Sequence, residues 1–152
     1  VALVTGDLMI LEIDNDFSAS KEVSDYIKAA QKKGDFRFYR VEEGGSVIGV
    51  FSTVKNFNEK FYKKMLAISS DFDISVSGKD RTKAVFIYHF YVCSDHRSEK
   101  KSKIMIEQIG QWLKDGGNWL VTQTSRAADE RLKENINSCL ERKGVDYVYF
   151  SQ

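Results

Sequence analysis

Arg97, Ser98, Lys100, Lys101, Ser102 and Lys103 stand in one run, RSEKKSK, directly behind an apolar stretch and directly ahead of a helical pattern. A helix that starts just after a strand presents unpaired backbone N–H groups and the positive end of its dipole, so such a turn can hold a phosphate or pyrophosphate. Cationic side chains add charge-assisted hydrogen bonds. The same cluster also reads as a solvated connection, and both readings stay open at this point. Upstream, His89 has the ordinary pKa range of a general base, with the Tyr88 phenol beside it. On a regular strand Tyr88 shares a face with Phe86, Phe90 and Val92, while His89 and Tyr91 point the other way, unless a bulge intervenes. A histidine in an apolar strand reads equally well as a hydrogen-bonded core residue. His96 reads as exposed. Cys93, Ser94 and Asp95 have no identifiable base partner and make poor nucleophiles. Tyr147 and Tyr149 can line a cleft or simply pack.

The elements that must position these groups follow from periodicity. Leu8–Asp14 is a first strand. The stretch SASKEVSDYIKAAQKKG is a helix capped by Ser18 or Ser20, with Val23, Tyr26, Ile27 and Ala30 on one stripe and Gly34 past its end. FRFYRVEEGGSVIGVFSTV holds two alternating runs around Gly44 and Gly45, which supply the positive φ angles of a tight hairpin. Phe57, Phe61, Met65 and Ile68 fall near helical spacing, and a polar connection follows them. Ala84–Cys93 is apolar on both faces and reads as a central strand. Ser102–Lys114 shifts to helical period, with Met105, Ile109 and Trp112 in a stripe flanked by Ile106 and Leu113. NWLVTQTS is a strand. ADERLKENINSCLERKG is a helix with Ala128, Leu132, Ile136 and Cys139 or Leu140 inward, and VDYVYF is a last strand. The order β-α-β-β-(α)-β-α-β-α-β predicts an α/β sandwich around a mixed sheet.

Composition narrows the functional classes. The 152 residues fit a single domain over 1–152, with an inserted segment at about 56–83. A hydrophobic fraction of 42% and an aromatic fraction of 12% are those of a folded globular chain. A formal net charge of +1 gives no global field for nucleic acid or a membrane surface, so any basic patch is local. Cys93 and Cys139 have no metal-ligand spacing, which predicts buried thiols in a reducing compartment and no metal site. No apolar run reaches the roughly 20 residues of a membrane span, and the N-terminal stretch lacks a basic leader. The expected location is cytoplasmic.

Several patterns resemble the GNAT superfamily of acetyl-CoA-dependent N-acetyltransferases. RVEEGGSVIGVFS is similar to that family's second and third strands, with Gly49 following the β-branched run. IYHFYVCSDHR is similar to its fourth strand and the start of its cofactor turn, with Arg97 at the family's Arg or Gln position. CLERKGV is similar to the end of its last helix. The resemblance implies a GNAT-like three-layer sandwich with acetyl-CoA as cofactor, its phosphates and arm held by Val92, Arg97, Ser98, Lys100, Lys101, Ser102 and Lys103. It implies an opening between the strand that ends near Val92 and the strand NWLVTQTS.

The chain departs from that family where chemistry is done. Lys100 and Ser102 stand at the two glycine positions of the phosphate turn. Phe86 stands where a glutamate base is frequent, and Leu140 where a tyrosine acid is frequent. Neither side chain can transfer a proton, which leaves His89 and Tyr88 as the catalytic candidates. Departures at functional positions inside an intact hydrophobic frame favour a catalytically degenerate protein used for binding or assembly, with a protein partner. An exposed apolar face on the insert, with Phe57, Phe61, Tyr62 and Met65, is the surface such a module would use. The ending LERKGVDYVYF is similar to that of small GNAT-like virion proteins of short-tailed phages. The alternative is an active N-acetyltransferase with an amine substrate.

Overall fold

The structure, a computed structural model, describes residues 8–14, 17–54, 63, 67, 78–124 and 130–151. Its elements are β1 (Leu8–Glu12), α1 (Lys21–Gln31), β2 (Phe36–Glu43), β3 (Ser46–Val54), β4 (Ala84–Val92), α2 (Lys101–Asp115), β5 (Trp119–Thr124), α3 (Glu130–Lys143) and β6 (Tyr147–Ser151), with 3-10 segments at Arg81–Lys83 and Ser94–Glu99. They form a six-stranded sheet in the order β1-β2-β3-β4-β5-β6. The first four strands are antiparallel, and β4–β5 and β5–β6 are parallel, so the sheet is mixed. The order of elements is the expected one. Of the helix expected around Phe57–Ile68, Lys63 and Ala67 are described and are helical; the rest, including the proposed apolar face of the insert, lies outside the described residues.

Local chemistry explains the connections. Gly44 and Gly45, at φ 57° and 82°, form a two-residue turn that pairs Glu43 with Ser46. Of the two cap candidates for α1 it is Ser20 that acts, its hydroxyl accepting the Val23 N–H at 3.3 Å. Gly144, at φ 73°, ends α3 as expected.

Helices cover both faces of the sheet. On one side α2 and α3 bury Met105, Ile109, Leu113 and Leu140 against Val41, Ile48, Phe51 and Ile87. On the other, α1 sets Val23, Tyr26 and Ile27 against Val50, Tyr91 and Cys93. Phe51, Met105, Leu113 and Leu140 are fully buried, and each large apolar side chain stabilises by roughly 1.5–3 kcal/mol. Both cysteines are buried and free, as expected. Ala128 and Leu132 lie outside the described side chains.

Candidate functional site

β4 and β5 begin as neighbours and then part. Their parallel ladder runs from Ala84↔Trp119 to Ile87↔Thr122 and stops, although β4 continues to Val92. The Thr122 hydroxyl donates to the Ile87 carbonyl at 3.2 Å and closes the base of the opening. At the same level the β3–β4 register slips: Ser52 faces His89 and Thr53 faces Ile87, so β4 carries an extra residue at Tyr88. This bulge corrects the simple alternation. Ile87, Phe90 and Val92 pack toward α2 and α3, while Tyr88 stays with Phe86 and stands beside His89 on the α1 side. Both catalytic candidates therefore share one face, at the point where the strands separate.

His89 is half-buried in a box of rings. Phe36 and Tyr26 meet it edge-on at 4.8 and 6.0 Å, Phe38 stacks at 5.8 Å, and Tyr88 lies 4.8 Å away. Its Nδ1 is 2.7 Å from Ser52 Oγ, and Ser52 Oγ also accepts the His89 backbone N–H at 3.1 Å. The Ser52 hydroxyl donates to Nδ1 or accepts from it according to the ring tautomer. Burial, helped by the positive charge of Lys33, pushes the His89 pKa below its ordinary 6.5, so the ring is neutral at neutral pH. Phe86 and Leu140, which cannot transfer a proton, are 1% and 2% exposed. The Tyr147 hydroxyl is taken by Glu141 at 2.7 Å.

The turn behind β4 is a 3-10 segment that ends at Lys100 in the left-handed region, φ 55° and ψ 39°. Lys100 is the N-cap of α2, no side chain caps this helix, and no acidic residue lies in its first turn. α1 contrasts with it, having Ser20 and Glu22 at its start. The α2 N-terminus therefore keeps the N–H groups and dipole end suited to an anion. Lys100, Lys103 and Ser98 are exposed there, and Ser102 is half-buried.

Other members of the cluster are engaged elsewhere. Lys101 Nζ donates to Glu43 Oε1 at 2.6 Å, which ties α2 to the β2–β3 hairpin. Arg97 folds back, its Nε donating to the Val92 carbonyl at 3.0 Å and its guanidinium lying over Tyr91 at 5.1 Å. Val92 packs among the α2-side apolar residues.

Sequence reasoning missed Glu22, Ser52 and Phe36. Glu22 accepts from the Tyr91 hydroxyl at 2.6 Å and the Ser94 N–H at 2.8 Å, and it fastens α1 to the start of the turn. The Tyr91 bond chiefly, with Ser94, holds the Glu22 pKa below its ordinary 4.5. The adjacent small polar pair Ser52 and Thr53 in an otherwise apolar run was the available signal for Ser52. The other two are visible only once the register is known.

The residues present fit a CoA-type ligand at three points: an open strand edge, an uncapped helix N-terminus and exposed cations. Among the described residues no group of side chains could hold a metal ion, and no helix is long and apolar enough to cross a membrane. No protein-family model and no curated protein matches the sequence. Among solved structures, the chain is similar to an aminoglycoside acetyltransferase, meta-AAC0020 from an uncultured soil metagenomic sample, in complex with sisomicin. The identity is 12%, the match covers 89% of this chain and 88% of that one, and the TM-score is 0.45. The same enzyme in complex with trehalose matches at 12% identity over 88% of each chain, with a TM-score of 0.44. The sheet and its helices are consistent with the GNAT-like order that the resemblance implies.

Proposed function

We propose that the chain, as one domain over 1–152 with an insert at about 56–83, binds acetyl-CoA between β4 and β5 and transfers the acetyl group directly to an amine. The observation that carries this reading is the end of the β4–β5 ladder at Ile87, beside a bulge that turns Tyr88 and His89 to the same face. A closed sheet would have no reason to stop pairing in the middle of its best strand. The pantetheine arm would bond the free edge of β4, and the phosphates would meet the α2 N-terminus with Lys100 and Lys103. When bound, the cofactor supplies the activated acyl thioester. Arg97 and Lys101 enter as supports of the turn rather than as phosphate ligands.

Calorimetric titration with acetyl-CoA and with CoA tests this directly. The expected dissociation constant is micromolar, weakened roughly ten- to a hundredfold in Lys100→Glu, since a charge-assisted contact contributes roughly 1.5–3 kcal/mol. No heat at millimolar ligand sinks the proposal.

A second reading, a binding or assembly module with a protein partner, is favoured by the burial of Phe86 and Leu140 at the ordinary proton-transfer positions. It expects CoA binding, or none, with no acetyl transfer to any amine.

A further inference from the structure

The mouth of the opening is aromatic. Tyr88 is 41% exposed, its ring 4.9 Å from Phe36 and 6.0 Å from Phe86, with His89 behind both. Tyr88 is also the first residue of β4 beyond the ladder to β5, so its ring is offered where an acceptor must approach a thioester in the gap. The recorded neighbours of the Tyr88 ring are aromatic, and Asp35, which precedes Phe36, is exposed. Lys33, exposed just past α1, adds to burial in lowering the His89 pKa. An alkylamine would arrive protonated and meet rings at the mouth, with Phe86 buried beside Tyr88 and unable to take a proton.

We propose, resting on the transferase reading above, that the acceptor is an aromatic amine, which arrives uncharged and stacks on Tyr88 and Phe36. The inability of Phe86 to take a proton is then no defect. The amine lone pair attacks the thioester carbonyl carbon, the C–N bond forms, and the C–S bond breaks with its electron pair leaving on sulfur. The proton released from nitrogen passes through solvent to the departing thiolate, so the products are an aryl amide and the free thiol of CoA. Aromatic pairing at the mouth positions the ring, with an offset or edge-on geometry like that of the rings already there.

The experiment is an acetyl-transfer assay on the full chain with acetyl-CoA, comparing 4-methylaniline with spermidine and reading thiol release and the mass of the product. Circular dichroism checks the folding of Tyr88→Ala and Tyr88→Phe, and calorimetry measures acetyl-CoA affinity in each. The expected result is acetylation of 4-methylaniline at a rate that stays flat from neutral to mildly alkaline pH, because the reactive form is already fully populated. Tyr88→Ala raises KM about fivefold through the lost ring contact, Tyr88→Phe restores it, and acetyl-CoA affinity is the same in both. Preference for spermidine, with a rate that climbs in proportion to its free base, overturns the assignment. Acetyl-CoA binding without transfer to 4-methylaniline overturns it too and leaves the cofactor site standing, whereas absence of acetyl-CoA binding removes the reading on which it rests.

Discussion

Lys100 is the residue at which conformation and identity disagree. Its φ of 55° belongs to the region where a side chain crowds the following carbonyl, at a cost of roughly 1–2 kcal/mol. Glycine would adopt it without that cost but would add about 0.4–1 kcal/mol of unfolded-state entropy. Lys100→Gly therefore stabilises by about 0.5–1 kcal/mol net, read as a rise in the denaturation midpoint at unchanged m-value. A loss of stability would mean that the lysine side chain makes a contact worth more than the strain. The turn thus takes a backbone shape that suits glycine, with a cation in its place. His89 and Ser52 are likewise a pair, joined through the Nδ1 atom and the backbone N–H of the histidine.

Most strands and helices were legible from the sequence through a period, an apolar run or a turn: the Met105, Ile109 and Trp112 stripe predicts the inward face of α2, and Gly44–Gly45 predicts the hairpin. The bulge at Tyr88 was not, since it is a mismatch between two strands and neither shows it alone. It decides which side chains share the site, so Phe90 and Val92 fall away from Tyr88 for a reason that no alternation count contains. Gly49 shows the same coupling between elements. A methyl group there would overlap the Tyr91 carbonyl of β4 and the Met105 thioether of α2, so no larger residue fits between them. Gly49→Ala should destabilise by about 1–3 kcal/mol, measured by urea unfolding. An effect below about 0.5 kcal/mol would show that Met105 swings clear and that the β3–β4 spacing relaxes.

The two faces of the sheet are unequally held. Phe51, Met105, Leu113 and Leu140 anchor the α2–α3 layer, whereas α1 contributes Val23 and the half-buried Tyr26 and Ile27 over Val50, Tyr91 and Cys93. Stability in such a molecule is not uniform, and the layer with less buried apolar surface opens first. Glu22 is the polar fastener of that layer, and through Ser94 it ties α1 to the turn that precedes α2. Its pKa is depressed below 4.5 in the folded chain, so its contribution is present above that value and is lost as pH falls through the folded pKa. Hydrogen exchange should accordingly show α1 amides opening before those of β3 and α2 at neutral pH, and Glu22→Gln should speed α1 exchange while leaving α2 unchanged. If acid protonation of the wild type gives the same pattern as the substitution, the carboxylate itself is the fastener. Equal protection of α1 and α2 would instead mean that the sandwich opens as one unit. The face that carries Tyr88 would then be no more mobile than the face behind it.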